Sequence, residues 1–121
     1  MASSKCAGSV GFLQVGEKVN AIGTVTSNQV LDLSKGNVHS LTLTANPIQL
    51  SFSNVASAGQ CSTVTLIIIN GGLATLTWAV TPLWASNAAP VLSSSGVDIL
   101  MLTTVDGGGT WYGIPASLGA A

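Results

Sequence analysis

The chain has no arginine, a single histidine (His39), a single glutamate (Glu17) and only 6% charged residues among 121. Each scarcity excludes a class of function. Three lysines, Lys5, Lys18 and Lys35, cannot lay the track of cations that successive phosphates require, so a nucleic-acid partner is not expected. A nucleophilic triad would need a base beside a serine, and His39 is the sole imidazole. Its parity with Leu41 and Leu43 places it instead at a strand end near the rim of the core. Paired carboxylates would have to come from Glu17, Asp32, Asp98 and Asp106. Glu17 falls in an N-terminal arm and Asp106 in a turn, so no pair is indicated. One histidine and two distant cysteines, Cys6 and Cys61, give no metal-ligand spacing. The reading is therefore a non-enzyme with no catalytic, cofactor or metal site. The two cysteines could pair only if the arm folded back, and in a reducing cytosol they read as small, partly buried thiols.

Long apolar runs are also missing. The longest, Leu66 to Ile69, is far short of the roughly 20 residues that span a bilayer as a helix, so no membrane partner is expected. Residues 1–9 contain no apolar segment of the kind a secretory signal needs, which predicts assembly in the cytoplasm of the producing cell. Mean hydropathy is nonetheless +0.59. So little charge on so apolar a chain leaves a monomer poorly protected against association, and it predicts that copies cover one another.

What is present is a strand pattern. Residues 1–18 are rich in small side chains and read as an arm whose sizeable apolar groups are Phe12, Leu13 and Val15, candidates for an interface. Residues 19–121 read as one β domain. Strands are predicted over residues 19–26 and 29–33, with a turn at Ser34-Lys35-Gly36-Asn37. Leu41 and Leu43 alternate with Thr42 and Thr44, and Ile48, Leu50 and Phe52 alternate with Gln49, Ser51 and Ser53. Residues 62–70 form the strongest core strand and end at Asn70-Gly71-Gly72. Leu76, Trp78 and Val80 share a face up to Pro82. Residues 83–95 form an excursion, residues 97–104 a buried strand, and residues 109–114 a returning one. No helical period is present. Seven or eight short strands with frequent turn signals predict an all-β fold, an antiparallel β-sandwich or jelly-roll-like barrel with an extended N-terminal arm.

The stretch TVDGGGTWYG, residues 104–113, admits two readings. Glycine amides could cradle an anion, or Asp106 and the glycines could simply reverse the chain. Thr104, Asp106, Gly108, Thr110 and Trp111 are spaced so that they resemble the Asp-box, a hairpin signature of sialidase propeller blades. That resemblance implies a structural turn: the aspartate caps it, glycine supplies positive φ, and the tryptophan packs beneath. Sialidase chemistry would further need an arginine cluster, which this chain lacks.

A wider resemblance spans roughly residues 29–115. The blocks VLDLSKGNVHSLTLTANPIQLSFSN, STVTLIIINGG, TLTWAVTPLW and APVLSSSGVDILMLTTVDGGGTWYG occur in the order of a small β module common in tailed-bacteriophage virion proteins. The chain departs from that module at Pro82-Leu83-Trp84-Ala85-Ser86-Asn87, where the family carries a more basic, glycine-containing loop. The resemblance implies a virion structural protein: a homotrimeric capsid decoration (cement) protein on the outer capsid surface, with itself and the major capsid protein as partners. An appendage or tail-fibre module that binds host carbohydrate through exposed Trp84, Trp111 and Tyr112 is the alternative. Trp78 and Trp111 are expected in the core, and Trp84 is the aromatic candidate for an interface.

Overall fold

The computed structural model describes residues 16–120, and the arm residues Phe12, Leu13 and Val15 lie outside them. Nine strands follow one another: β1 (Val19–Val25), β2 (Gln29–Asp32), β3 (Val38–Leu43), β4 (Pro47–Ser53), β5 (Ser62–Ile69), β6 (Thr75–Trp78), β7 (Leu83–Trp84), β8 (Val97–Thr104) and β9 (Tyr112–Ser117). The helical residues among those described form three short 3-10 turns, at Leu33–Lys35, Gly71–Leu73 and Ala85–Asn87. The fold is mostly β, as expected. No helix of the described residues is long and apolar enough to cross a membrane.

The pairing departs from the expectation. A six-stranded sheet runs β1-β3-β5-β8-β9-β7, and a three-stranded sheet runs β2-β4-β6. Successive strands from β1 to β6 therefore alternate between sheets, and every ladder among them is parallel. The chain winds in turns that each lay one strand on each sheet. Antiparallel pairing is confined to β5 with β8 and β8 with β9. The physical reason is that alternation reveals which face of a strand is buried but not which neighbour it pairs with. The connections decide that. Residues 26–28 carry the chain across to the other sheet instead of folding β2 back onto β1.

Polar side chains hold the stacked corners in place. Thr44 Oγ1 donates to the Val25 carbonyl at 2.9 Å, and the Gln49 amide donates to Asn28 Oδ1 at 2.9 Å. At the opposite corner Asp32 Oδ1 accepts from the Ser34 amide at 2.9 Å and from Asn54 Nδ2 at 2.7 Å. Each bond satisfies a group that a corner takes out of its ladder. Between the corners, Leu41, Leu43, Val64, Leu66, Ile68, Leu100 and Leu102 from the larger sheet meet Leu31, Ile48 and Leu50 from the smaller in one buried cluster. These are the inward positions of a period-2 pattern; the alternation predicts Leu41, Leu43, Ile48 and Leu50 among them, whereas residues 62–70 and 97–104 are predicted as buried strands with no inward face assigned. Beyond β6 the strand expectation runs too long, because Val80 lies outside β6 and is 40% exposed.

Candidate functional site

In the hairpin at residues 104–111, Asp106 Oδ1 accepts from the Thr110 amide at 2.8 Å and from Thr104 Oγ1 at 2.9 Å, while the Gly108 amide donates to Thr104 Oγ1 at 3.1 Å. Gly108 has φ +92°, a conformation that side chains avoid. Trp111 is buried beneath, its ring centroid 4.5 Å from that of Phe52. The five residues thus stand together as a closed structural unit. The backbone amide of Thr110, with the Thr104 and Thr110 hydroxyls behind it, holds the Asp106 carboxyl below its usual range. The turn's own side chains take two of its amides, Thr110 N–H on the Asp106 carboxylate and Gly108 N–H on Thr104 Oγ1, which favours the structural turn over an anion cradle. Asp106→Ala is expected to lower the melting temperature by a few degrees, because it frees the Thr110 amide and the Thr104 hydroxyl together. A melting curve that coincides with that of the parent chain would remove the cap from the account.

Trp84 is not an exposed aromatic. It is 8% exposed, lies against the Gly113 backbone, and meets Trp78 edge-on at 6.4 Å and 62°. The signal that misplaced it is the polar, proline-bounded stretch around it, which reads as a surface loop although β7 pairs Trp84 with Gly113 in the large sheet. A cleft of about 310 Å³ opens beside the two indoles, lined by Leu76, Leu92 and Leu100 among others. Of the three aromatics considered as a sugar platform, Tyr112 alone is at the surface, at 49% exposure.

His39 lies inside the core rather than at its rim. It is fully buried on the inward face of β3, with Nδ1 3.1 Å from Asn20 Nδ2 and with Nε2 lacking a partner among the described residues. Burial pushes its pKa below 6.5, against smaller opposing effects of the Gly36 backbone and the Asp32 carboxylate. The unfolded chain therefore takes up a proton first as pH falls, so His39 lowers stability as pH drops below 6.5. Asp32 acts in a lower window. Its pKa is drawn from 3.8 to about 2, chiefly by Asn54 and Ser34, so its contribution is present above 3.8 and is lost as pH falls toward 2. Between those windows, above about pH 4, His39 sets the slope. The melting temperature is expected to fall from pH 6.5 toward about pH 4 in the parent and to stay flat in His39→Leu. Equal slopes in the two proteins would exclude His39 as the cause.

Asp98 escaped the sequence reading except as a candidate catalytic acid. It is fully buried on β8 and accepts from the Ser93 amide at 2.6 Å, Ser93 Oγ at 3.0 Å and the Gly119 amide at 2.8 Å. It therefore ties the end of the excursion and the segment after β9 to the sheet. Its parity with Leu100 and Leu102 was the available signal, a charged residue on the buried face of a strand. No group of three or more potential metal ligands occurs among the described residues. No known family model, curated protein or solved structure matches this chain.

Proposed function

We propose that the protein is a non-enzymatic virion structural protein, a homotrimeric capsid decoration protein that stabilises the outer shell of a tailed phage by binding its major capsid protein. In this reading the two sheets are the layers of a sandwich-like or jelly-roll-like module, and the arm reaches a neighbouring subunit or the shell. The observation that carries the reading is the ordered run of blocks over residues 29–115 that resembles the phage virion module. A chain with 6% charged residues that leaves Val19, Met101, Tyr112 and Ile114 at its surface is also suited to life in an assembly. The carbohydrate-binding alternative is not favoured, since Trp84 and Trp111 are buried.

The test mixes the full chain, and a chain lacking residues 1–16, with undecorated capsids. Bound copies and the temperature of shell rupture are then measured. The full chain is expected to saturate a repeating set of sites and to raise the rupture temperature. Because β1 begins at Val19, the shortened chain is expected to fold but to bind more weakly. No binding by the full chain to any shell of the virus that encodes it would overturn the reading.

A further inference from the structure

One face of the six-stranded sheet packs on the three-stranded sheet, and no element of the described residues packs on the other. Strand register sets its composition. Val19, Val38, Thr65, Met101 and Ile114 stand side by side across β1, β3, β5, β8 and β9. The adjacent row carries Ala21, Ser40, Ile67 and Ile99, and the row on the other side pairs Thr63 with Thr103 and Thr103 with Tyr112. No residue in these rows is charged. Val19 is 53% exposed, Met101 38% and Ile114 56%. Two hollows, of about 460 and 230 Å³, have Met101 in their lining, and the larger, at the edge of this face, is also lined by Glu17.

We propose that this outer face is where copies of the chain meet, through the row from Val19 to Ile114. The inference deepens the self-association in the proposed function. Charge selects the occupant. Apart from Glu17 at the edge of the larger hollow, a partner presenting charged groups would find no counter-charge on these rows, whereas a second copy brings the same uncharged rows. The interleaved threonine and serine hydroxyls suit a protein surface better than hydrocarbon, where each would lack a partner. Size agrees as well. Five strands spaced about 4.8 Å apart and some six residues long at about 3.3 Å each present roughly 500 Å² of projected sheet. Protruding side chains raise the accessible area toward the roughly 800 Å² per partner of a stable interface.

Cys61 reports on this face, because its Sγ lies 3.2 Å from Thr103 Oγ1 and 3.6 Å from Thr63 Oγ1 while remaining exposed. The experiment uses the full chain carrying Cys6→Ser, so that Cys61 is the remaining thiol, with Met101→Lys, Ile114→Lys and a Leu73→Lys control added separately. Sedimentation velocity and the rate of reaction with a thiol reagent are measured across the micromolar range. The parent and the Leu73→Lys chain are expected to sediment as an oligomer, with Cys61 reacting about tenfold more slowly at the highest concentration than at the lowest, by mass action. Met101→Lys and Ile114→Lys are expected to sediment as folded monomers with Cys61 open throughout. Should those variants unfold, the concentration dependence of Cys61 in the parent still decides. A monomeric parent, or an oligomer in which Cys61 stays equally reactive at all concentrations, overturns the proposal. So does protection that is independent of concentration and vanishes on deleting residues 1–16, since the arm would then be the cover. Capsid binding with an open Cys61 sinks this inference alone, and a concentration-protected Cys61 without capsid binding sinks the decoration reading alone.

Discussion

Asp98→Ala is expected to destabilise the domain by roughly 3–5 kcal/mol, since hydrogen bonds to a buried charged group contribute about 1.5–3 kcal/mol each and their donors are left unpaired. The carboxylate is fully buried and accepts three bonds, two of them from backbone amides that cannot turn elsewhere. The loss is not local to β8. Ser93 also receives the Gly72 amide on its carbonyl at 2.8 Å, and Ala120 donates to the Val97 carbonyl at 2.7 Å beside Gly119. The turn after β5, the excursion and the last residues of the domain therefore loosen together. For a domain of this size the melting temperature is expected to fall by roughly 10–20 °C. Amide exchange at Ser93 and Gly119 is expected to accelerate beyond the global change. Asp98→Asn should fall between, because its carbonyl oxygen keeps one acceptor while its amide opposes a donor. A loss below about 1 kcal/mol for the alanine variant would mean that Ser93 and Gly119 find other partners, and the anchoring role would fail.

Asp98 also marks how far the sequence could be read. The inward residues Leu41, Leu43, Ile48 and Leu50 were legible, because a half-buried strand prints its faces as a period of two. The hairpin at residues 104–111 was legible for a different reason: its capping bonds span no more than four residues, so the Asp-box resemblance rests on a contiguous stretch of sequence. Partnership between strands was not legible. Val38 pairs with Val19 on one side and Thr65 on the other, and nothing in the residues of β3 names either neighbour. The uncharged rows of the outer face follow from those pairings, so they appear only once β1, β3, β5, β8 and β9 are side by side. His39 misled for the same reason. Its parity with Leu41 was read correctly as inward, but its depth depends on β1 and β5 flanking β3.

Gly113→Ala is expected to cost roughly 1–3 kcal/mol, the range for forcing an extra methyl into a packed site. A Cβ at this position would lie 2.6 Å from Trp84 Cε3 and 2.8 Å from Cη2, and closer still to Cζ3. The ring cannot swing away freely, because Trp78 meets it edge-on and the short β7 strand is fixed by pairing of Leu83 with Tyr112 and of Trp84 with Gly113. Leu83 is further held by its amide, which donates to the Trp111 carbonyl at 2.8 Å, so displacement of Trp84 pulls on the base of the Asp106 hairpin. Trp84→Leu supplies the control. Alone it is expected to destabilise by about 2–4 kcal/mol through the cavity left beside Trp78. In that background the added methyl of Gly113→Ala gains room, and its cost is expected to shrink by at least about 1 kcal/mol, a coupling well above the scatter for independent sites. Denaturant unfolding of the four proteins measures the cycle. Equal costs of Gly113→Ala with and without the indole would locate the strain elsewhere and would remove the contact between Trp84 and Gly113 from the account.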